Sequence, residues 1–408
     1  MSDDPAVRRL ADWNAERLRD LADRHATPTY VLDLNRVREN ATRLRGAFPD
    51  ADVAYAVKAN TTRAVLETLE AEGVDAECAA AGEVKRALDA GFPGERIRYT
   101  AVNPPDRDLD YIGEVGRAHD IVVTVGARDT LDRLAERGYE GRLCVRVNPG
   151  VGAGHHAKVS TGAEPKFGVP YDRAGEVVDA AREVGEVVGI HAHAGSGISG
   201  DDLAAHRELV SRMGELAREV GDLEFVAVGG GFGVPYRETE PPLDLDRVAD
   251  ATRDALGEVD ARLAIEPGRY FVADAGVLLS TVNTVKETPE TTVVGIDAGM
   301  TTLLRPALYD AYHAVRSLAP DADDRPTESV ELAGPVCETA DVLARDRPLA
   351  APERGDHLAV GNAGAYGYEM ASNYNSRPRP AVVALDGGDD RLVARREDLT
   401  DITELERW

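Results

Sequence analysis

The sequence predicts an α/β plus β protein in which an N-terminal (β/α)8 TIM-type barrel precedes a C-terminal β-barrel or β-sandwich domain. Between about residues 50 and 270, short apolar runs alternate with charged amphipathic stretches. Beyond Gly276 the sequence is typical of strands separated by turns rich in Gly, Pro and Asp. A chain of 408 residues is long enough to bury two hydrophobic cores.

Eight apolar, β-branched runs predict the barrel strands. They cover residues 52–57, 74–78, 97–100, 121–125, 143–147, 187–193, 224–228 and 262–265. Amphipathic segments such as 62–72, 82–90 and 202–220 lie between these runs and predict helices. A doubly wound sheet is the alternative, but such a sheet rarely needs eight alternations in one uninterrupted domain.

Strand-like segments continue after the barrel with little helix between them. They cover residues 277–286, 292–297, 329–333, 357–361 and 380–385, and the polar stretch 318–328 is predicted to be a loop. We therefore expect a barrel domain over residues 35–275. The β-domain is expected to combine residues 1–34 with residues 276–408.

The charge of the chain restricts its partners. The formal net charge of −26 at pH 7 argues against binding to nucleic acid or to anionic membranes.

The N-terminus carries acids where a signal peptide carries bases, and no run approaches 18 apolar residues. Cys78, Cys144 and Cys337 lack the spacing of metal ligands or of a disulfide framework. We expect a soluble, cytoplasmic protein.

The basic residues are almost all arginine, 42 against five lysines. A large acidic excess with so little lysine is typical of proteins adapted to a salt-rich cytoplasm, because molar salt shortens the screening length to about 3 Å. The sequence therefore predicts a halophilic protein. An ordinary acidic enzyme from a GC-rich genome is the alternative, and it explains the preference for arginine but not the acidic excess.

Chemically unusual residues recur where the predicted barrel strands end, and barrel enzymes build their active sites from these ends. Lys58 ends the first strand. Its amine can react with a carbonyl group, whereas a guanidinium cannot. The sixth strand ends in HAHAGS (191–196), the seventh in Gly229–Gly233 and the eighth in Glu266–Arg269.

Two of these features allow more than one interpretation. Gly229–Gly231 could form a plain turn or a nucleotide loop, but it departs from GxGxxG. After the seventh strand of a barrel, glycine-rich backbone commonly binds phosphate. His191 and His193 could ligate a metal, but metal-dependent barrel hydrolases carry such a pair on the first strand, with further ligands that this chain lacks. His191 could also be a core histidine.

Glu266 ends an apolar strand, and burying a carboxylate is costly without a partner. A protonated pyridine nitrogen would supply that partner, and the ring of His193 could pack flat against a planar cofactor. Together with the amine of Lys58 and the glycine run, these residues predict a site for pyridoxal 5'-phosphate, with Lys58 reacting with its aldehyde.

At this point the residues match a known family. The chain resembles the fold-type III pyridoxal-phosphate decarboxylases, and within them the diaminopimelate decarboxylase family, from about Thr27 to Leu399. The motifs that carry the resemblance are YAVKAN (55–60), RVNPGV (146–151), STGAEPKFG (160–168), HAHAGS (191–196), GGGFGVPY (229–236), EPGRY (266–270), DAGM (297–300), RPALY (305–309), GPVCETAD (334–341), GAYG (364–367) and MASNYNSRPRP (370–380).

The resemblance implies a role for each matching residue. Lys58 should bind the cofactor covalently, His193 should stack on its ring and Glu266 should pair with the ring nitrogen. The phosphate should be held by Ser196 and by the backbone around Gly230, Gly231, Gly268 and Arg269, with Tyr366 closing over it.

The resemblance also implies an amino-acid substrate, meso-2,6-diaminopimelate, which would lose CO2 from one end to give L-lysine. Its other end should be bound by Arg269, Arg305, Tyr309, Glu338 and Tyr366, since a distal carboxylate needs cations and a distal ammonium needs an anion. In the family Cys337 and Glu338 come from a second subunit, so a homodimer with shared active sites is expected. Cys337 is the expected proton donor, and a buried inert thiol is the alternative.

Other functions remain open on the sequence alone. A decarboxylase of the same fold could act on ornithine, arginine or carboxynorspermidine, although STGAEPKFG and the pair Arg269 and Arg305 favour diaminopimelate. A racemase on a similar barrel, a non-enzymatic pyridoxal carrier and a metal hydrolase fit less well. Gly197 and Thr339 depart from the family pattern near the expected substrate.

Overall fold

The fold is described from a computed structural model, which covers residues 6–151, 166–193, 195, 198 and 203–407. The chain forms two compact units. The barrel unit comprises Arg38–Gly233 and Leu243–Phe271. The sheet unit comprises Met1–Val37, Val234–Pro242 and Val272–Trp408, so the chain enters it three times.

Helices and strands are numbered in chain order. The helices are α1 (Ala15–His25), α2 (Leu34–Ala47), α3 (Arg63–Ala71), α4 (Ala81–Asp89), α5 (Asp106–His119), α6 (Arg128–Glu136), α7 (Ala174–Arg182), α8 (Ala204–Val220), α9 (Leu245–Leu256), α10 (Arg269–Val272), α11 (Arg305–Tyr309) and α12 (Leu399–Thr403). The strands are β1 (Thr29–Asp33), β2 (Asp52–Ala56), β3 (Asp75–Cys78), β4 (Ile97–Tyr99), β5 (Val122–Val125), β6 (Arg142–Asn148), β7 (Val169–Pro170), β8 (Glu186–His191), β9 (Phe225–Ala227), β10 (Arg262–Ile265), β11 (Gly276–Glu287), β12 (Thr292–Ile296), β13 (Val315–Ser317), β14 (Thr327–Ala333), β15 (Val342–Ala350), β16 (His357–Val360), β17 (Ala381–Asp386) and β18 (Asp389–Ala394).

Eight parallel strands close the barrel. Their order is β2, β3, β4, β5, β6, β8, β9 and β10, and β10 pairs with β2, with Ile265 opposite Val53. Each of the eight predicted strands is present, so the barrel prediction is confirmed. Apolar runs identified the strands well because a parallel barrel strand is buried on both faces.

The barrel interior is filled by side chains rather than left as a pore. Buried residues from β5, β6, β8, β9 and β10 form one apolar cluster: Val122, Cys144, Val188, Phe225, Ala227 and Ala264. Helices α1, α9 and α12 begin at side-chain caps. In α9, for example, the side chain of Asp244 accepts a hydrogen bond from the backbone N–H of Arg247 at 3.0 Å.

The sheet unit contains a mixed nine-stranded sheet among the described residues. Its main path runs β15, β14, β12, β11, β1, β17 and β18, and β16 pairs with both β11 and β13. Strand β1 lies between β11, which is antiparallel to it, and β17, which is parallel. Leu18 and Leu21 of α1 join the apolar core of this sheet, together with Val31 and Val277. The predicted sheet domain after the barrel is thus confirmed.

Four strands of the sheet unit were not predicted, namely β1, β13, β15 and β18. Strand β15 includes charged residues and Pro348, and β18 begins with two aspartates, so neither has an apolar run. The segment 318–328, predicted to be a loop, ends with Thr327 and Glu328 inside β14. Within the described part of the chain, no helix is both long and apolar enough to cross a membrane.

Candidate active site

The predicted site residues fall in both units. The barrel unit holds Lys58, His193, Gly230, Gly231, Glu266, Gly268 and Arg269, and the sheet unit holds Arg305, Tyr309, Cys337, Glu338 and Tyr366. Ser196 and Gly197 lie outside the described residues, as does most of the motif STGAEPKFG.

Lys58 lies in a short 3-10 turn, Val57–Ala59, directly after β2. Its side chain is 42% exposed, and Nζ donates a hydrogen bond to Oε2 of Glu77 at 2.5 Å. Glu77 lies on the neighbouring strand β3, and its side chain is buried. The amine is therefore accessible and is held by a carboxylate that the sequence analysis missed.

A second carboxylate, Glu83, lies near this pair at the start of α4. Its Oε2 accepts a hydrogen bond from the backbone N–H of Ala79 at 2.7 Å. Burial raises the pKa of Glu83 to about 7, against the opposing effects of that hydrogen bond and of the charge on Lys58. Neither Glu77 nor Glu83 stands out in the sequence, because acidic residues are abundant in this chain.

Glu266 is held by a histidine. Nε2 of His191, at the end of β8, lies 2.8 Å from Oε2 of Glu266, and both side chains are about 95% buried. Burial raises the pKa of Glu266, but the charge and hydrogen bond of His191, with the charges of Arg98 and Lys58, outweigh it and hold the pKa below its usual range. Glu266 is thus kept as a carboxylate in the barrel.

This pairing also bears on the metal hypothesis. In the described residues, no three His, Cys, Asp or Glu side chains are grouped as a metal site would require. His191 orients Glu266 instead, and the buried Nδ1 atom of His191 has no hydrogen-bond partner among the described residues. A role in holding the carboxylate therefore accounts for this histidine better than a ligand role.

His193 accepts a hydrogen bond from the backbone N–H of Gly230, whose nitrogen lies 3.2 Å from Nδ1. Burial, followed by the positive charges of Lys58 and Arg146, lowers the pKa of His193 to about 3. The imidazole is therefore neutral at ordinary pH. A neutral ring fixed at one nitrogen is suited to lie against a planar aromatic group.

The glycine turn after β9 packs closely against these residues. Gly229 and Gly231 have φ angles of +74° and +96°, which favour glycine. A Cβ on Gly229 would lie 2.4 Å from Nδ1 of His193, and one on Gly230 would lie 2.2 Å from the carbonyl oxygen of Glu266. Only glycine fits here without a backbone shift.

The turn after β10 is equally close-packed. A Cβ on Gly268 would lie 3.0 Å from the Cβ atoms of both Ala56 and Ala59, which flank the turn that carries Lys58. Arg269 follows immediately and begins the short helix α10. The ends of β2, β9 and β10 thus meet at one end of the barrel with bare backbone between them.

These residues fit pyridoxal phosphate. The accessible amine of Lys58 can react with the aldehyde, and the buried carboxylate of Glu266 can pair with a protonated ring nitrogen. The neutral ring of His193 can stack on the pyridine. The glycines of 229–231 follow the seventh barrel strand, where barrels commonly bind phosphate.

In the sheet unit, Arg305 is 3% exposed and begins α11, which ends at Tyr309. Its Nη1 donates a hydrogen bond to the hydroxyl of Tyr236 at 2.8 Å, and its guanidinium carbon lies 5.0 Å from the centre of that ring. Among the described residues no carboxylate forms an ion pair with Arg305. Within the part of the chain that the structure describes, the guanidinium is therefore a buried cation without an ion-pair partner.

Cys337 and Glu338 lie on the exposed surface of the sheet unit. The thiol of Cys337 donates to Oδ1 of Asn375 at 3.3 Å, and Glu338 accepts a hydrogen bond from the hydroxyl of Tyr374. This exposure contradicts the alternative of a thiol buried within its own chain. Tyr366 lies beyond β16 with a φ of +56°, a conformation that is uncommon outside glycine.

Comparisons with known proteins identify the family of this chain. Residues 34–273 match the family model for the pyridoxal binding domain of pyridoxal-dependent decarboxylases. A diaminopimelate decarboxylase from Methanothermobacter thermautotrophicus is 44% identical over 400 residues, which cover 94% of this chain and 92% of the relative. The corresponding protein of Aquifex aeolicus is 36% identical, covering 95% of this chain and 93% of its own.

Solved structures are similar over the same length. The crystal structure of diaminopimelate decarboxylase from Helicobacter pylori, complexed with L-lysine, has a TM-score of 0.89 at 32% identity, covering 95% of this chain and 98% of that one. A structure of the enzyme from M. jannaschii gives a TM-score of 0.87, also at 32% identity, over 95% and 94% of the two chains. The chain therefore belongs to the diaminopimelate decarboxylase family of pyridoxal-dependent decarboxylases.

Proposed function

We propose that this protein uses pyridoxal phosphate to decarboxylate meso-2,6-diaminopimelate, giving L-lysine and CO2, the last step of lysine biosynthesis. The observation that carries the proposal is the arrangement at the end of the barrel. An accessible lysine, a neutral histidine and a buried carboxylate lie around close-packed glycine turns. Relatives with the same named activity are up to 44% identical over nearly the whole chain.

Each residue of the barrel unit has a separate task in this proposal. Lys58 binds the aldehyde, while Glu77 orients its amine through the 2.5 Å hydrogen bond. Glu266, oriented by His191, keeps the ring nitrogen protonated, and His193 packs against the ring. When bound, pyridoxal phosphate supplies the electron sink for the carbanion that loss of CO2 leaves behind.

The phosphate is assigned to the backbone around Gly230 and Gly231, to that of Gly268 and Arg269, and to Ser196. Close-packed glycine backbone lets an anion approach the N–H groups without interference from side chains. Residues 35–275 would thus form the cofactor-binding domain.

The substrate assignment rests on Arg305. A buried guanidinium without a counter-ion is costly, and an anionic ligand would offset that cost. Diaminopimelate offers such an anion, because the carboxylate at the end that does not react persists in the product. Arg269, Tyr309 and Tyr366 are proposed to complete the contacts to the substrate.

Cys337 and Glu338 are proposed to act in a homodimer with shared active sites. Glu338 would bind the distal ammonium of the substrate, and Cys337 would return a proton to the carbon that lost CO2. Their exposure on the surface of a single chain supports a contribution across a subunit interface. We also propose that the protein acts in the cytoplasm.

Release of CO2 tests the function directly. The purified protein, supplied with pyridoxal phosphate in molar KCl, is offered diaminopimelate, ornithine, arginine and carboxynorspermidine in parallel. Lysine should appear from diaminopimelate, with no turnover of the other three compounds. Turnover of one of these instead would contradict the assigned substrate while leaving the cofactor assignment intact.

Lysine substitutions test the role of Lys58. Lys58→Ala should abolish both turnover and the visible absorbance of the covalently bound cofactor, because no other amine takes its place. Lys85→Ala is the matched control, since Lys85 is exposed and forms an ion pair with Asp89 on its own helix. Full activity in the Lys58→Ala variant would refute the mechanism.

A further inference from the structure

Resting on the proposed function, we infer that Tyr236 and His313 position Arg305, so that these two residues set the preference for a substrate with a distal carboxylate. Neither residue was singled out by the sequence. Tyr236, Arg305 and His313 all lie in the sheet unit.

The partner of Arg305 is neutral. Tyr236 holds the guanidinium with its hydroxyl at 2.8 Å and with its ring at 5.0 Å. A carboxylate in the same place would fix the arginine equally well, but it would neutralise the charge and compete with an anionic ligand. A phenol fixes the geometry and leaves the positive charge for the substrate.

Tyr236 is itself held in place by His313. The two rings meet edge to face, with centres 5.3 Å apart and planes at 88°. His313 is fully buried, and its Nδ1 lies 2.9 Å from the carbonyl oxygen of Gly361. Because a carbonyl oxygen only accepts, Nδ1 carries the proton and the orientation of the ring is fixed.

The backbone around Tyr236 is tied down as well. The N–H of Tyr236 donates to Glu240 at 2.7 Å, and the side chain of Asn362 donates to the carbonyl of Pro235 at 2.8 Å. Arg9 donates to the carbonyl oxygens of Arg237 and Glu240, both at 2.7 Å. The tyrosine therefore sits on a fixed segment, as a positioning residue requires.

The test compares Tyr236→Phe with the wild-type holoenzyme. Loss of a hydrogen bond to a charged group should raise the KM for diaminopimelate about 10-fold, while kcat changes by less than about twofold. The ring and its contact with His313 remain, so the variant keeps its packing. Tyr312→Phe is the matched control. Tyr312 also stacks on arginines, but these are Arg237 and Arg347, so its variant should keep the wild-type KM.

A pair of inhibitors isolates the carboxylate. L-Lysine retains the distal carboxylate of the substrate, whereas cadaverine has none. Tyr236→Phe should weaken inhibition by lysine about 10-fold and leave inhibition by cadaverine unchanged. In an Arg305→Met background the same substitution should have no further effect on lysine, because the residue acts through the arginine.

The outcomes separate this inference from the proposed function. If the wild type turns over diaminopimelate but Tyr236→Phe leaves the KM and the lysine inhibition unchanged, the positioning role is wrong and the function stands. If Tyr236→Phe weakens inhibition by lysine and by cadaverine equally, the positioning role is also wrong, since a general structural defect acts on both inhibitors. If the wild type fails to release CO2 from diaminopimelate, the function and the inference fall together.

Discussion

At the scale of single residues, the pKa values of two carboxyl groups near Lys58 shift in opposite directions. Burial acts on both Glu83 and Glu266, but Glu266 has a histidine as a hydrogen-bond partner, whereas Glu83 has a backbone N–H. The pKa of Glu266 consequently falls, while that of Glu83 rises to about 7. When their environments separate the pKa values of two carboxyl groups, one group can be ionised and the other protonated at the same pH.

Glu83 should make the stability of the protein depend on pH. The folded state holds a proton that the unfolded state releases above about pH 4.5, so this contribution is fully present below that pH and is lost as the pH rises through about 7. The loss of stability is on the order of 3 kcal/mol. Glu83→Gln keeps a side-chain oxygen that can accept the hydrogen bond from the N–H of Ala79, and it should remove this dependence of stability on pH.

Urea unfolding at several pH values between 4.5 and 8 would measure this contribution. Glu67→Gln serves as the control, because Glu67 is exposed and paired with Arg63 on the surface of α3. A pH dependence that is identical in wild type and Glu83→Gln would contradict the assignment.

The sequence located some site residues and missed others for a physical reason. Lys58 and Glu266 stand out because each chemical type is unusual at the end of an apolar strand. Glu77 and Tyr236 do not, since acids are abundant in this chain and Tyr236 matters only through the arginine that it contacts. Partners distant in sequence become visible only when the fold brings them together.

At the scale of elements, strand type decided what could be predicted. Barrel strands are buried on both faces, so their apolar runs identify them without knowledge of the neighbours. Strands β15 and β18 are partly exposed and include charged residues, so no apolar run identifies them, although each pairs with the strand just before it in the chain. Patterns along the sequence therefore described the barrel better than the sheet unit.

The glycine turn Gly229–Gly231, which follows β9, should tolerate no side chain. Gly230→Ala would place a Cβ 2.2 Å from the carbonyl oxygen of Glu266, so the backbone must shift and the phosphate site with it. We expect affinity for pyridoxal phosphate to fall at least about 10-fold, a loss of about 1.4 kcal/mol. Titration of the cofactor, followed by its absorbance, measures the loss.

Gly82→Ala provides the comparison for this substitution. Gly82 lies in α4, and apart from its chain neighbours and the backbone of its own helix no described atom lies within 4 Å of the position that an added Cβ would occupy. Alanine should therefore be accommodated there, and cofactor affinity should stay at the wild-type value. Equal affinity in both variants would show that the close packing around Gly230 does not shape the phosphate site.

At the scale of the whole molecule, the excess of acidic residues is the main electrostatic influence on stability. A net charge of −26 destabilises a compact chain through self-repulsion, and salt screens that repulsion. Many arginines form exposed ion pairs, such as Arg63 with Glu67 and Arg128 with Asp132. Exposed pairs of this kind contribute little each, so they do not offset the excess.

The melting temperature should therefore rise with KCl. The steepest gain is expected between about 0.1 and 1 M, where the screening length falls from about 10 Å to about 3 Å. Thermal unfolding in a KCl series measures the effect. A series in sorbitol at matched osmolality is the control, because sorbitol is excluded from the protein surface but does not screen charges. A melting temperature that stays flat or falls across the KCl series would rule out the predicted adaptation to salt.

The position of β1 has a consequence for biosynthesis. This apolar strand is made near the start of the chain, yet its neighbours β11 and β17 follow roughly 240 and 350 residues later. At about 5 to 20 residues per second, the ribosome needs on the order of 20 to 70 seconds to deliver the second neighbour. For roughly the first two thirds of that interval both edges of β1 lack their native partners, and the edge that pairs with β17 stays unpaired until the end. The growing chain is therefore most prone to misassociation before its last strands emerge.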